Sequence, residues 1–214
     1  MFDLILNGVN TLDSPAAARA KTSGKFRILC AGAYYPRKGH IELIRGLARA
    51  RLPDVELVLV GAPSKEVERV IAESGIASAV SRLPLLSNRE LLIEMARSDL
   101  FALPSWSEAF GLVFMEALGA GTPVLLTNDS GAATHIEHRK HGWVVPPRNV
   151  IAIAEALREA HGAPDSVRRA MGSVGQEMVH ATFGWRKNAA EVLNCLRNSR
   201  SQAAPSAPKL PALA

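Results

Sequence analysis

Aromatic side chains make up only 5% of this 214-residue chain, and cysteine occurs only twice. The first scarcity removes the stacking platforms that single-stranded nucleic acids need. The second, with Cys30 and Cys195 far apart and unclustered, implies neither a disulfide framework nor a zinc site. A reducing, cytoplasmic setting is the expectation. Cys30 lies in an apolar run and reads as buried packing. No apolar stretch approaches the roughly 20 residues that cross a bilayer. The opening Met-Phe-Asp-Leu-Ile-Leu-Asn-Gly has neither the basic region nor the cleavage site of a secretory signal. A dominant charge sign is also missing: 25 Lys and Arg face 20 Asp and Glu, a net +5 with the bases scattered. That balance argues against nucleic acid as a partner. Arg168-Arg169 and Arg186-Lys187 fall on polar faces of predicted helices. Such a face offers contact to anionic lipid head groups, although solvation is the simpler reading.

What the chain does contain is alternation. Apolar residues account for 48% of it and charged ones for 21%, an ordinary soluble composition in a length that suits one well-buried domain. Strands are predicted at 26–33, 55–60, 79–83, 100–103, 124–127 and 143–145. Helices are predicted at 39–50, 64–73, 87–97, after Gly111, and at 150–161, 166–180 and 185–198. In the first helix Ile41, Leu43, Ile44, Leu47 and Ala48 recur at helical spacing, and Ser87-Asn-Arg-Glu90 has the pattern of a capping box. Strands separated by single helices cannot pair as hairpins, so the sheet is expected to be mostly parallel with right-handed crossovers. The reading is a doubly wound, Rossmann-like α/β domain over residues 25–198. Ligands bind such sheets outside the carboxyl ends of the strands. The loops at Gly32, at Gly61 and from Pro104 to Gly111 should converge there. Residues 1–24 read as a linker, and residues 199–214, prolines without periodicity, as a disordered tail.

Between Pro104 and Val124 the chain reads Pro-Ser-Trp-Ser-Glu-Ala-Phe-Gly-Leu-Val-Phe-Met-Glu-Ala-Leu-Gly-Ala-Gly-Thr-Pro-Val. Glu108 stands before a helix start, Glu116 inside the helix, and Gly111 between them. Free amides of a first helical turn and the positive end of its dipole favour an anion. Two carboxylates flanking that point would accept from hydroxyls at either end of a ligand with an anionic middle. A sugar-diphosphate-nucleoside has that shape: hexose for Glu108, diphosphate for the amides, ribose for Glu116. With 14 Glu in the chain, the bare pair is a weak signal. Its order, from strand through loop and helix to strand, gives it weight.

Further landmarks occur in sequence. They are Asn7-Gly8-Val9-Asn10, Gly32 through Pro36-Arg37-Lys38-Gly39, the Leu57-to-Gly61 strand, His141-Gly142-Trp143-Val144-Val145-Pro146-Pro147, and Phe183-Gly184-Trp185. Together with the Glu108–Glu116 stretch they resemble the C-terminal, donor-binding domain of retaining GT-B glycosyltransferases (glycosyl transferases group 1), over most of the chain. The resemblance implies a nucleotide-sugar donor as substrate, no cofactor, and chemistry without a metal; no Asp-x-Asp occurs. It implies catalytic roles for Lys38 and Glu108. It implies donor binding by Gly32, Lys38, Glu108, Phe110, Gly111, Leu112 and Glu116, with the base near Arg82 and Leu85. Lys38 would pair with the diphosphate as a point charge and stabilise the leaving group.

Three positions depart from the family pattern. Ala33 replaces an Arg that joins the Lys on the diphosphate, Ala109 replaces a Gly after the first Glu, and Thr134 stands where a further Glu is usual. Arg37 reads as exposed and His40 as a helix-start residue. His135, His138 and His141 read as a solvated loop rather than a metal set. The family's acceptor half is normally N-terminal, and this chain starts at the equivalent of the interdomain linker. A separate acceptor-binding domain or chain is therefore implied, with the rim at Gly32, Pro104 and Phe110 exposed to meet it. A non-catalytic nucleotide-sugar-binding or partner-binding module is the alternative, and a GT-B-like epimerase a weaker one.

Overall fold

Five apolar residues and one arginine, Phe-Arg-Ile-Leu-Cys-Ala at Phe26–Ala31, form β1 with every residue buried. Only a strand covered on both faces needs such a run. The computed structural model describes residues 8–12 and 24–202. Strands β2 (Val55–Val60), β3 (Val80–Leu83), β4 (Leu100–Ala102), β5 (Val124–Thr127) and β6 (Gly142–Val145) complete one sheet. The order is β3-β2-β1-β4-β5-β6 and every pairing is parallel. Each of the first four strands leads to the next through an α-helix. These are α1 (His40–Ala50), α2 (Lys65–Glu73), α3 (Asn88–Ala96) and α4 (Leu112–Gly119), with α5 (Val150–Gly162), α6 (Asp165–Phe183) and α7 (Trp185–Gln202) after β6. Between β5 and β6 the connection is a short 3-10 turn, Gly131–Thr134. This is the doubly wound α/β architecture expected.

Local chemistry sets the element ends. The predicted capping box forms: the Ser87 hydroxyl accepts from Glu90 N, and the Glu90 carboxylate accepts from Ser87 N. Ser64 caps α2 by accepting from Val67 N. β1 stops at Ala31, two residues earlier than its apolar run, because Gly32 and Ala33 turn into the loop that leads to α1. α3 and α4 pack their apolar faces on the sheet, with Leu92, Met95, Phe114, Met115 and Leu118 buried. Fully burying a side chain of this size contributes roughly 1.5–3 kcal/mol. A polar knot closes the amino end of the sheet. Arg27 N donates to the Asp99 carboxylate at 2.9 Å, and the Arg27 guanidinium donates to Ser98 Oγ at 2.9 Å and pairs with Glu94.

The ends of the chain differ from expectation where they are described. Within the predicted linker, Val9 is buried, donates from N to Phe183 O at 2.9 Å and bridges Gly184. It belongs to the domain. At the other end α7 continues to Gln202, into the predicted tail; residues 1–7, 13–23 and 203–214 lie outside the described residues. No helix among the described residues is long and apolar enough to cross a membrane.

Candidate functional site

β1 and β4 lie side by side, although β2 and β3 separate them in sequence. The chain after β1 leaves toward β2 on one side, and the chain after β4 toward β5 on the other. This is the topological switch point, where the loops part and a crevice opens. The loop after β1 carries Lys38 and the loop after β4 carries Glu108.

Backbone contacts hold the two loops together. Gly39, which ends the 3-10 turn Pro36–Lys38 and opens α1, has φ 72°. A Cβ there would sit 2.0 Å from Pro104 O, so only glycine allows both the left-handed backbone and the approach. Trp106 N donates to Arg37 O at 2.7 Å. From the other side the Thr127 hydroxyl donates to Ser105 O at 2.6 Å, and Gly131 N donates to Glu108 O at 2.9 Å. The expected exposed rim is thus partly closed: Pro104 is buried, and Gly32 and Phe110 are half-buried. The loops clasp one another instead of standing open.

Across this clasp the Lys38 ammonium and the Glu108 carboxylate form a direct ion pair, with side chains only 15% and 17% exposed. Such burial strengthens the attraction and makes a lone member of the pair costly. Three residues on, Gly111 (φ 82°) opens α4 without any side-chain cap. The first amides of α4 therefore point out of the helix with no side chain answering them. Leu112 is 41% exposed at this entrance. Glu116 is the single ionisable side chain of α4. It is half-buried, and its Oε1 accepts from Asn88 Nδ2 at 3.0 Å.

An open cleft of about 450 Å³ runs beside the pair, lined by Gly32, Tyr34, Lys38, Gly61, Leu85 and Leu86 among others. Lys38 is the one charged residue of its lining. Glu108 and Glu116 stand outside that lining, but Val113 and Leu91 are within it, one helical turn from Glu116 and Asn88 respectively. Leu85 projects at 88% exposure, whereas Arg82 is committed to Glu68, with Nε 2.7 Å from the carboxylate. A smaller depression of about 160 Å³ lies at the opposite end of the sheet, near Asp99, Gly121 and Arg168. Arg168 there donates to Ala160 O and Ala163 O, tying down the end of α5.

Several side chains take roles that the sequence reading missed. His40 opens α1 as foreseen, but it is buried and stacks on Tyr34 with ring centroids 4.4 Å apart. Burial first, and then the Lys38 charge, pushes its imidazole down to about 4. Tyr34 in turn donates its hydroxyl to Val60 O at 3.0 Å. Of the three later histidines, only His138 is solvated as expected. His135 packs edge-on against Phe183 and near Phe110, with centroids 5.0 and 6.2 Å away. His141 is buried, and its Nδ1 accepts from Glu137 N at 3.1 Å; the exposed His138 accepts from Val144 N at 3.1 Å. Among the described residues no cluster of His, Cys, Asp and Glu could hold a metal ion. Thr134 donates to Gly131 O at 2.8 Å, and Ala33 is exposed. Arg37 is exposed as expected. Arg148 lies 4.0 Å above the Trp106 ring. Asn88 lies inside the Ser87–Glu90 capping box, which marks a helix start and not a site, and Arg148 belongs to no motif read in the sequence.

Similar proteins share this arrangement of elements. The chain is 34% identical over 198 residues to a GDP-mannose-dependent phosphatidylinositol monomannoside mannosyltransferase from Mycobacterium tuberculosis, covering 85% of this chain and 51% of the relative. It is 32% identical over 185 residues to a D-inositol 3-phosphate glycosyltransferase from Paenarthrobacter aurescens, covering 82% and 45%. The chain thus spans about half the length of these relatives. Among solved structures, sucrose-phosphate synthase from Thermosynechococcus elongatus superposes with TM-score 0.82 at 25% identity, over 94% of this chain and 53% of that one. The Anabaena protein HepE, in complex with UDP and glucose, superposes with TM-score 0.79 at 23% identity, over 92% and 57%. The fold is that of one Rossmann-like half of a GT-B glycosyltransferase. A model of the group 1 glycosyl transferases matches residues 16–178, from before β1 to within α6, and by that match the chain belongs to the glycosyl transferases group 1 family.

Proposed function

We propose that this chain is the donor-binding half of a retaining hexosyltransferase that draws its sugar from a nucleoside-diphosphate sugar. The observation that carries the reading is the Lys38–Glu108 pair, set across the switch point beside the uncapped start of α4. An ammonium and a row of free amides suit a diphosphate. Carboxylates on both sides suit the hydroxyls of the groups attached to it. The relatives' names agree in kind: the mycobacterial protein uses GDP-mannose, and HepE is bound to UDP and glucose.

In this reading Lys38 binds the diphosphate and Glu108 accepts from hydroxyls of the transferred sugar. Backbone around Gly32, Phe110, Gly111 and Leu112 surrounds the sugar and diphosphate, and Glu116 accepts from the ribose. During transfer the bond from sugar C1 to the β-phosphate oxygen breaks, and a bond from the acceptor oxygen to C1 forms. The acceptor's proton passes to an oxygen of the departing diphosphate. Negative charge grows on the departing diphosphate, where Lys38 and the α4 dipole stabilise it without a metal ion. The acceptor enters from a separate acceptor-binding domain or chain, since group transfer needs both reactants in one crevice.

Calorimetric titration with UDP, GDP and ADP tests the assignment. Binding of at least one, weakened by Lys38→Met, is expected; failure of all three at millimolar concentration overturns it. A second reading, a nucleotide-sugar-binding module without transfer, is favoured by Ala33 and by Lys38 standing as the one cation of the cleft lining. Both readings expect negligible turnover from the isolated chain. Restored transfer on adding an acceptor-domain chain selects the first.

A further inference from the structure

Glu116 is held from a second helix, and the nature of its partner carries information. Asn88 is the first residue of α3, fixed by the Ser87–Glu90 capping box immediately before it. From there Asn88 Nδ2 donates to Glu116 Oε1 at 3.0 Å. The bond is neutral-to-charged and directional, so it anchors one oxygen of the carboxylate and narrows the directions open to the other. Glu116 Oε2 makes no protein hydrogen bond among the described residues. The next turn of each helix, at Leu91 and Val113, faces the cleft. The bond therefore sits on the seam between α3 and α4 that borders the cleft.

We infer that Asn88 is a positioning residue for ribose recognition: it engages one oxygen of Glu116 and turns the other toward the vicinal hydroxyls of a ribonucleoside diphosphate. This rests on the donor-site reading above. Its chemistry is specific. A ribose donates a 2′-hydroxyl that a 2′-deoxyribose lacks, so an oriented carboxylate acceptor discriminates between the two. A freely rotating carboxylate does so less well, because part of each hydrogen bond's gain is spent on ordering it.

The test compares UDP, GDP and ADP with their 2′-deoxy counterparts by calorimetry, in the wild-type chain and in Asn88→Ala, Asn88→Asp and Glu116→Ala. The wild type should favour the ribose form. Asn88→Ala should reduce that preference by about three- to tenfold, one hydrogen bond's worth, and approach Glu116→Ala. Asn88→Asp separates positioning from structure. Aspartate at a helix start is tolerated or stabilising, so the melting temperature should hold. It nevertheless places a second carboxylate against Glu116, and the ribose preference should fall at least as far as in Asn88→Ala. A ribose preference lost in Glu116→Ala but kept in both Asn88 variants overturns this inference alone. No binding of any nucleotide to the wild type, or binding without regard to the 2′-hydroxyl, overturns the ribose reading of Glu116 and this inference with it.

Discussion

At one end of the site Glu108 faces an ammonium, and at the other Glu116 faces an amide. The first pair is largely buried and bridges two loops; the second joins two helices at a half-exposed position. The contrast matters for what a ligand must do. A diphosphate that takes Lys38 must compete with Glu108, so an internal contact is exchanged for an external one. A ribose meeting Glu116 displaces nothing, since the amide occupies one carboxylate oxygen and leaves the other. On the proposed reading, the Glu108 end is a contact to be opened and the Glu116 end a receptor already set.

The largest expected effect strikes the charged end. Lys38→Met removes the cleft's one cation and leaves the Glu108 carboxylate facing the diphosphate. Nucleoside diphosphate affinity should fall by 10- to 100-fold, about 1.5–3 kcal/mol, as read by calorimetry. Parity with the wild type would show that the amides of α4 carry the anion alone.

Next in size is a pH effect confined to the same end. His40 is held neutral, at about 4, by burial and then by Lys38, against an ordinary value of 6.5. The folded state is therefore favoured fully above pH 6.5, and this contribution is lost as pH falls toward 4. At pH 5 the loss should be about 2 kcal/mol. Denaturant melts at pH 7 and pH 5 should show it, and His40→Leu should flatten the difference. His141, also lowered mainly by burial, should leave a smaller slope. An unchanged slope in His40→Leu would remove His40 from the account.

Glu108→Gln sharpens the comparison by its sign. With Lys38 released, binding of a bare nucleoside diphosphate should tighten severalfold, on the order of 1 kcal/mol. The added affinity from an attached hexose should shrink. Weaker binding of both ligands would mean that Glu108 positions Lys38 rather than competing for it. The smallest expected effect is at the other end: Glu116→Ala should weaken nucleoside diphosphate binding by about three- to tenfold, the net worth of one solvent-accessible hydrogen bond. A loss as large as that of Lys38→Met would erase the distinction between the two ends.

Much of the architecture was legible before any coordinates. Apolar runs at β1 and β2 mark buried parallel strands, and Ser87 with Glu90 announces α3 by chemistry that acts within four residues. Glu108, Gly111 and Glu116 could be grouped as candidates because they sit in one continuous segment. The partners were another matter. Lys38 meets Glu108 across 70 positions and Asn88 meets Glu116 across 28. No local pattern encodes such distances. Misreadings have the same origin. A histidine in a polar loop looks solvated until Phe110 and Phe183 are brought beside it, as happens at His135. Val9 looks like linker until Phe183 and Gly184 supply its backbone partners.

The sequence by itself determined the alternation of strands and helices, the parallel sheet, and the carboxylates that flank the start of α4. Each follows from periodicity, capping or chain reversal, which are properties of neighbouring residues. The tertiary structure alone decided that β1 and β4 adjoin, that Gly39 lets their loops touch, and that each carboxylate has its own unlike partner. Those outcomes depend on which distant segments pack together, and packing against a shared core is settled only when the whole chain has closed upon itself.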